Sequence, residues 1–359
     1  MATLTETAYY TRSIIKYGLL SLVSLVVLRG AFIVSVRLYR RIFPPPPPPP
    51  SVRFGQLPRP PLASVENLPE TITYNLETPD GTTSIQNDSE TTRTKDQARV
   101  YFMPQSSPNL LGLPRAKEKA AALGFKTEPE LLENSIYRFR HENQQLTLDV
   151  HSTSGSFHLY YSWQGNQSLP GNPPSSDKEA EDTVKNLLTS AALLPKDIIE
   201  GDSTYEYFKV NGTGLSPTNS LSEADVVKVK LNRKDLDGLS VYSQNPDEAP
   251  IWGIVSKAAQ VPNQIMELSY RYFPVEYEEY STYPIKSSTE AWKELGEGKG
   301  FIVKLGENKD GNITIRRIFL GYLDVLDIPV KFMQPVFVFE GDNDFVAYLL
   351  AVPDQYLSP

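Results

Sequence analysis

Four groups of side chains in this sequence have the types and spacing that chemistry requires. Ser175 and Lys178, in "PPSSDKEAEDTV", form a Ser-x-x-Lys pair, in which a lysine amine can activate a serine nucleophile. No Ser-Asp-Asn or Lys-Thr-Gly companion accompanies it, and a helix start explains the same residues. Glu276, Glu278 and Glu279, in "PVEYEEYSTY", could supply paired carboxylates for acid–base work. On a strand, however, Glu276 and Glu278 share one face and Tyr277 takes the other, as on any solvated edge. Asp342 and Asp344, in "GDNDF", offer oxygens to calcium, but the ligand positions beyond a short turn are missing and a hairpin accounts for them.

Histidine is the fourth group. In "LTLDVHSTSGSFHLYYSW" a two-residue loop at Ser154-Gly155 pairs His151 with His158, Asp149 with Tyr160 and Val150 with Leu159. One face is then Leu148, Val150, Phe157, Leu159 and Tyr161, and the other Asp149, His151, His158 and Tyr160. Two cross-strand imidazoles could share a zinc, but a third ligand is needed and His141 falls in the preceding turn "HENQQ". A solvated sheet face explains the same pattern. Because none of these groups assembles a reaction, the expectation is a protein that is not an enzyme, with no catalytic, cofactor-binding or metal-binding residues.

The elements around these residues begin with an apolar segment. Tyr17 to Val36 contains twelve Leu, Ile, Val or Phe in twenty residues, and as a helix it would span roughly 30 Å, the thickness of a bilayer core. Arg29 costs about 2.5–3.5 kcal/mol at mid-membrane, while each apolar residue returns roughly 0.3–0.6, so the apolar residues prevail. A cleaved signal peptide is the alternative, but no small-x-small site ends the stretch. The sequence therefore predicts a tail over 1–16 and a membrane helix over 17–43. Arg37, Arg40 and Arg41 outnumber Arg12 and Lys16, which by the positive-inside rule places the following body in the cytoplasm.

Pro44 to Pro50 end the helix, since proline lacks the N–H and disfavours helix in its predecessor. Seven residues of polyproline II reach about 22 Å, so 44–70 reads as a spacer. A docking site for a proline-binding module is the other use of such a run. Charge divides here. Residues 1–59 carry +7, leaving −15 of the total of −8 on the remainder. An acidic body repels phosphate, which excludes nucleic acid as a partner. The absence of cysteine excludes disulfides and thiolate chemistry.

The body reads as α+β, with antiparallel sheets each packed by a helix. Asp80 to Thr94 is a polar loop. "LPRAKEKAAALGF" predicts a helix with Pro114 in its first turn and Gly124 at its exit. Ser176 with Glu179, and Ser287 with Glu290, are capping boxes 111 residues apart, each followed by an alanine, Ala180 and Ala291. Hairpins are expected around Asp237-Gly238, Asp310-Gly311 and Gly341 to Asp344. Twenty tyrosines would complete half-buried sheets or line a groove. The modules expected are 71–173 and 174–359.

Residues 283–353 carry a resemblance. The Ser-x-x-Glu-Ala-Trp helix start, the "IFLGYLD" strand, and "MQPVFVFEG" leading to a strand ending near Ala-Val-Pro resemble the last unit of the YycH/YycI group of membrane-anchored regulators, built from PepSY-like modules. The anchor, proline rod and "SVRFGQLP" together look similar to uncharacterised single-pass bacterial envelope proteins. The resemblance implies tandem PepSY-like units in a non-catalytic, extracytoplasmic body that binds or restrains a protein partner, with the amino terminus inside. On the side of the membrane it opposes the arginine distribution, and it is followed here because large domains translocate despite flanking charge. A structural component of the envelope or a surface apparatus is the alternative role, and a hydrolase whose site forms only on folding is the third.

Overall fold

A computed structural model describes residues 4–42, 48–86, 96–105, 111–132, 135–142, 145–163, 172–212, 214–258 and 261–358. The chain divides into two compact units, Met1–Pro49 and Pro50–Pro359. The first is helix α1, Leu4–Ile42, which begins well inside the segment expected as a tail. Its stretch Ile14–Tyr39, 26 residues, is long and apolar enough to cross a membrane. Pro44 to Pro47 of the expected rod, and residues 87–94 of the expected polar loop, lie outside the described residues.

The second unit is α+β. Its strands, in chain order, are β1 (Thr73–Leu76), β2 (Gln97–Phe102), β3 (Glu130–Leu131), β4 (Ile136–Arg140), β5 (Leu146–His151), β6 (Phe157–Tyr161), β7 (Ser203–Asn211), β8 (Gly214–Thr218) and β9 (Val226–Leu231). They continue with β10 (Val241–Ser243), β11 (Ile251–Val255), β12 (Ile265–Tyr270), β13 (Glu276–Pro284), β14 (Phe301–Lys304), β15 (Asn312–Asp324), β16 (Phe332–Gly341) and β17 (Val346–Leu350). The helices are α2 (Gly112–Ala122), α3 (Asp177–Ser190), α4 (Lys196–Ile199) and α5 (Ser288–Gly296).

Sheet one is antiparallel throughout, in the order β3-β4-β5-β6-β12-β11-β9-β7-β8. The β6–β12 pairing joins residues 157–160 to 267–270, so the sheet runs without a break across position 173/174, where the sequence placed a module boundary. α3 packs on it through Ala180, Val184 and Leu188, all fully buried. Its start is the capping box read from sequence, with Ser176 Oγ accepting from the Glu179 N–H at 3.1 Å. The β5–β6 register differs from expectation by two residues. Asp149 faces His158 and Val150 faces Phe157, because the connecting loop runs over Ser152 to Gly155 rather than two residues. A slip of two preserves the faces, since side chains alternate with a period of two.

Sheet two orders β1-β15-β16-β17-β14, with β10 also pairing β15 and β2 bridging β16 to β13. β1 and β10 lie parallel to β15, a departure from antiparallel pairing. Two expected hairpins are corrected here. Asp237-Gly238 does turn, both residues having positive φ, but the chain leaves β9 in sheet one and enters β10 in sheet two. β14 pairs β17, not β15, so Asp310-Gly311 turns between strands that are not neighbours. The turn chemistry is local, whereas the partner is chosen by what each strand can bury. Gly321 permits the β10 approach, since a Cβ there would lie 2.5 Å from the Tyr242 ring. The β16–β17 hairpin at Gly341 to Asp344 forms as expected.

Sheet two is covered on both faces, which explains the unbroken apolar run of β16. Phe337 and Phe339 face the cluster of Ala291 and Leu295 from α5. Val336 and Val338 face a cluster containing Leu57 and Leu357. Leu57 is wholly buried and exchanges backbone bonds with Tyr356 and Ser358 at 2.8 Å each, while Phe54 stacks on Phe332. Residues 50–70, expected as the second half of a spacer, are thus a strap of the folded body. An apolar sheet face cannot be left wet.

The two sheets meet at Arg233, two residues beyond β9. Its Nε donates to Asp324 Oδ2 at the end of β15 and its Nη1 to Asp197 Oδ2 in α4, both at 2.6 Å. Nη2 donates to the Phe273 carbonyl, and the guanidinium lies 4.2 Å from the Tyr272 ring centroid. All three charged side chains are 1–2% exposed. Burial opposes ionisation of the guanidinium, but Asp324 and Asp197 hold its pKa above the usual arginine value.

Two stability measurements test this construction. Leu57→Ala should cost about 2–4 kcal/mol through transfer and cavity terms, read by denaturant unfolding; a loss near zero would mean the strap is not docked. Arg233→Met strands two buried carboxylates and should cost roughly 3–5 kcal/mol.

Candidate functional site

Most of the residues singled out in the sequence are bound into structural contacts. Ser175 donates its N–H to Glu179 Oε2 at 2.6 Å, and its Oγ accepts from Lys257 Nζ at 3.1 Å, not from Lys178. Lys178 turns to Asp182 at 2.9 Å, and Lys257 is ion-paired with Glu179 at 3.0 Å. The Ser-x-x-Lys pair is therefore a helix start. Glu276, Glu278 and Glu279 are all exposed, and a register irregularity between Glu276 and Tyr280 interrupts strict alternation. Asp342 receives Arg316 through two bonds, at 2.8 and 2.6 Å, and that hydrogen bonding holds its carboxyl below the usual range. Asp344 is exposed and reaches Lys304 at 3.9 Å.

The histidines do not converge. His158 Nε2 lies 2.7 Å from Glu267 Oε1, His151 Nδ1 accepts from the Ser154 N–H at 3.3 Å, and His141 meets Phe125 edge-on. Among the described residues no group of three His, Asp or Glu could hold a metal. The tyrosines mostly pack, with hydroxyls on buried acids and carbonyls. Tyr101 and Tyr322 both donate to Asp237 Oδ2, at 2.8 and 3.1 Å, Tyr272 donates to Asp197 at 2.9 Å, and Tyr205 to Glu181 at 2.8 Å. Burial and then the Glu181 carboxylate push the Tyr205 phenol up to about 12.

What the sequence did not single out is a cavity of about 440 Å³ on sheet one. Its walls are Arg115 and Lys119 of α2, the β5–β6 loop from His151 to Gly155, and Ala191 to Leu193 after α3. Each wall has a local cause. Pro114 lies in the first turn of α2, as expected, and Ala116 and Ala120 are buried beneath it, so the helix sits close to the sheet. Positions 115 and 119, one turn apart, share the neighbouring face. Gly155 turns the loop at φ +74, and a Cβ there would stand 3.2 Å from Lys119 Nζ.

Lys119 is the unusual group. Its ammonium donates to the Gly155 carbonyl and lies 5.3 and 5.6 Å from the ring centroids of Tyr270 and Phe157. Those two rings are themselves stacked at 4.8 Å. Neither the half-buried Lys119 nor the exposed Arg115 has an ion-pair carboxylate among the described residues, whereas a charge drawn out of water is as a rule paired. Burial pushes the Lys119 ammonium down to about 8. A poorly solvated cation beside a cavity marks a binding site by its electrostatics. The only sequence signal was negative: Lys119 has no acid three or four residues away.

No family model matches this chain, and no curated protein matches it. Two solved structures are similar to it in shape. An uncharacterized protein from Eubacterium rectale ATCC 33656 is 14% identical, with a TM-score of 0.40, over 73% of this chain and 84% of that one. The Bacillus megaterium YpeB C-terminal domain is 11% identical, with a TM-score of 0.29, over 69% of this chain and 95% of that one. The YycH/YycI part of the resemblance has no support in these similarities.

The state of Lys119 is measurable. Below pH 8 folded and unfolded chains both hold the proton, and the cost of burying the charge is fully present. Between pH 8 and the unfolded value of 10.5 the unfolded chain binds more protons, so stability rises with pH. Lys119→Met should therefore stabilise the protein at pH 7 by an amount on the order of 2 kcal/mol and remove its share of the rise between pH 8 and 10. Urea unfolding of both forms at pH 7, 8.5 and 10 checks this, and an unchanged pH slope would refute it.

Proposed function

We propose that this chain is a single-pass, membrane-anchored, non-catalytic binding protein whose body lies outside the cytoplasm and regulates a protein partner. The observation that carries the reading is the cavity at Lys119, which offers cations and apolar side chains without a nucleophile joined to a base. Further support comes from the sequence candidates for chemistry, which are engaged elsewhere: Ser175 in the α3 start, Asp342 on Arg316, and His158 on Glu267. The apolar stretch Ile14–Tyr39 supplies the anchor. The tandem helix-plus-sheet arrangement, with matched capping boxes at Ser176 and Ser287, is the feature that favours PepSY-like units.

Two experiments test the proposal. Protease added to intact spheroplasts should digest the body and leave α1, whereas a protected body would place it in the cytoplasm. Crosslinking in native membranes, followed by pull-down of the full chain, should capture a membrane sensor or enzyme in near-stoichiometric amounts. Capture of an abundant surface assembly instead would move the protein to a structural role.

A further inference from the structure

The geometry points to a small organic acid, one carboxylate on an apolar chain of a few carbons, as the ligand of the Lys119 cavity. This deepens the proposed binding role and rests on it. The charge requirement comes first. The body is acidic, yet this wall carries Arg115 and Lys119 with Glu118 as the one acid lining the cavity. An ammonium held against two aromatic rings is stabilised by their faces, but it keeps donors to spare. Of its three N–H groups, one is spent on the Gly155 carbonyl. A carboxylate entering the cavity would supply the missing counter-charge, whereas a neutral sugar or alcohol would leave it uncompensated.

Shape and polarity select among anions. Beside the cations, Ala116 and Ala122 of α2 together with Val150, Ala191 and Leu193 give the lining an apolar part, which a short alkyl chain would cover and a bare inorganic anion would leave wet. A volume of about 440 Å³ lies at the small end of ligand cavities, which run from about 300 to 1,000 Å³. The loop hydroxyls are largely committed: Ser152 Oγ donates to the Ser135 carbonyl and Ser154 Oγ pairs with Ser156 Oγ. Recognition therefore falls to the two cations and the apolar wall, the pattern of a monocarboxylate rather than of a polyol.

The test is calorimetric titration of the full chain in nanodiscs with hexanoate, hexanol and inorganic phosphate. Hexanoate should bind saturably at one site per chain, with hexanol and phosphate at least tenfold weaker. Lys119→Met and Arg115→Gln should each weaken hexanoate at least fivefold, the first with a raised and the second with an unchanged melting temperature. Arg115 is an exposed helix residue, so its variant keeps the test valid if Lys119→Met misfolds. Hexanoate should also protect Lys119 from acetylation, as read by mass spectrometry. Absence of saturable hexanoate binding, equal binding of phosphate or hexanol, or unchanged affinity in both variants would overturn the inference. The titration needs no partner, so its failure is distinct from a failure to capture one.

Discussion

The guanidinium of Arg233 is the contact on which the rest of the body depends. Carried just beyond β9, it is buried where the α4 turn, the residues after β12 and the end of β15 come together, and it bonds to all three, through Asp197, the Phe273 carbonyl and Asp324. A buried ion pair is not by itself a source of stability, because desolvation offsets the Coulomb gain. Its value here is geometric. The planar fork of arginine presents donors in a fixed geometry, so its three bonds tie the placement of one sheet to that of the other. A second set repeats the device nearby, with Arg99, Tyr101 and Tyr322 all on Asp237. Tyr277 connects the two sets, since it interacts with Asp197 and meets Tyr101 ring to ring at 6.4 Å.

With that joint fixed, the layers on each sheet follow. Sheet two has an apolar strip on both faces, so it takes α5 with Val65 and Leu68 on one side and the earlier part of the strap, from Val52 to Leu62, on the other. Sheet one is apolar on one face, covered by α2 and α3, while its other face carries cross-strand ion pairs such as Arg138 with Asp149. The cavity at Lys119 lies where α2 and the end of α3 approach the β5–β6 loop without filling the space between them. Small residues at Ala116, Ala191 and Ala192 leave that gap, and Lys119 is the cation that faces it.

Features that depend on neighbouring residues were legible in the sequence. Ser176–Glu179 and Ser287–Glu290 cap their helices as read, and the matched alanines, Ala180 and Ala291, are both fully buried. Pro114 and Gly124 bound α2 as expected, and the face assignment of β5 and β6 survived a two-residue error in register. The turn at Asp237-Gly238 was legible, but not that it leads from one sheet to the other. Lys119 was not, because "AKEKAAA" reads as an ordinary solvated helix.

By itself the sequence determined the apolar segment able to span a membrane, the helix starts, the turns and the alternation of strand faces. Each of these is a property of a few adjacent residues, set by backbone sterics and local hydrogen bonding. Only the tertiary structure decided which strands pair, that the chain after the prolines returns to cover sheet two, and that a single lysine of α2 is held over two rings beside a cavity. Those outcomes depend on burial and charge pairing between residues far apart in sequence. The environment of Lys119 is one such outcome, since it is created by Phe157 and Tyr270, which no reading of its neighbours contains.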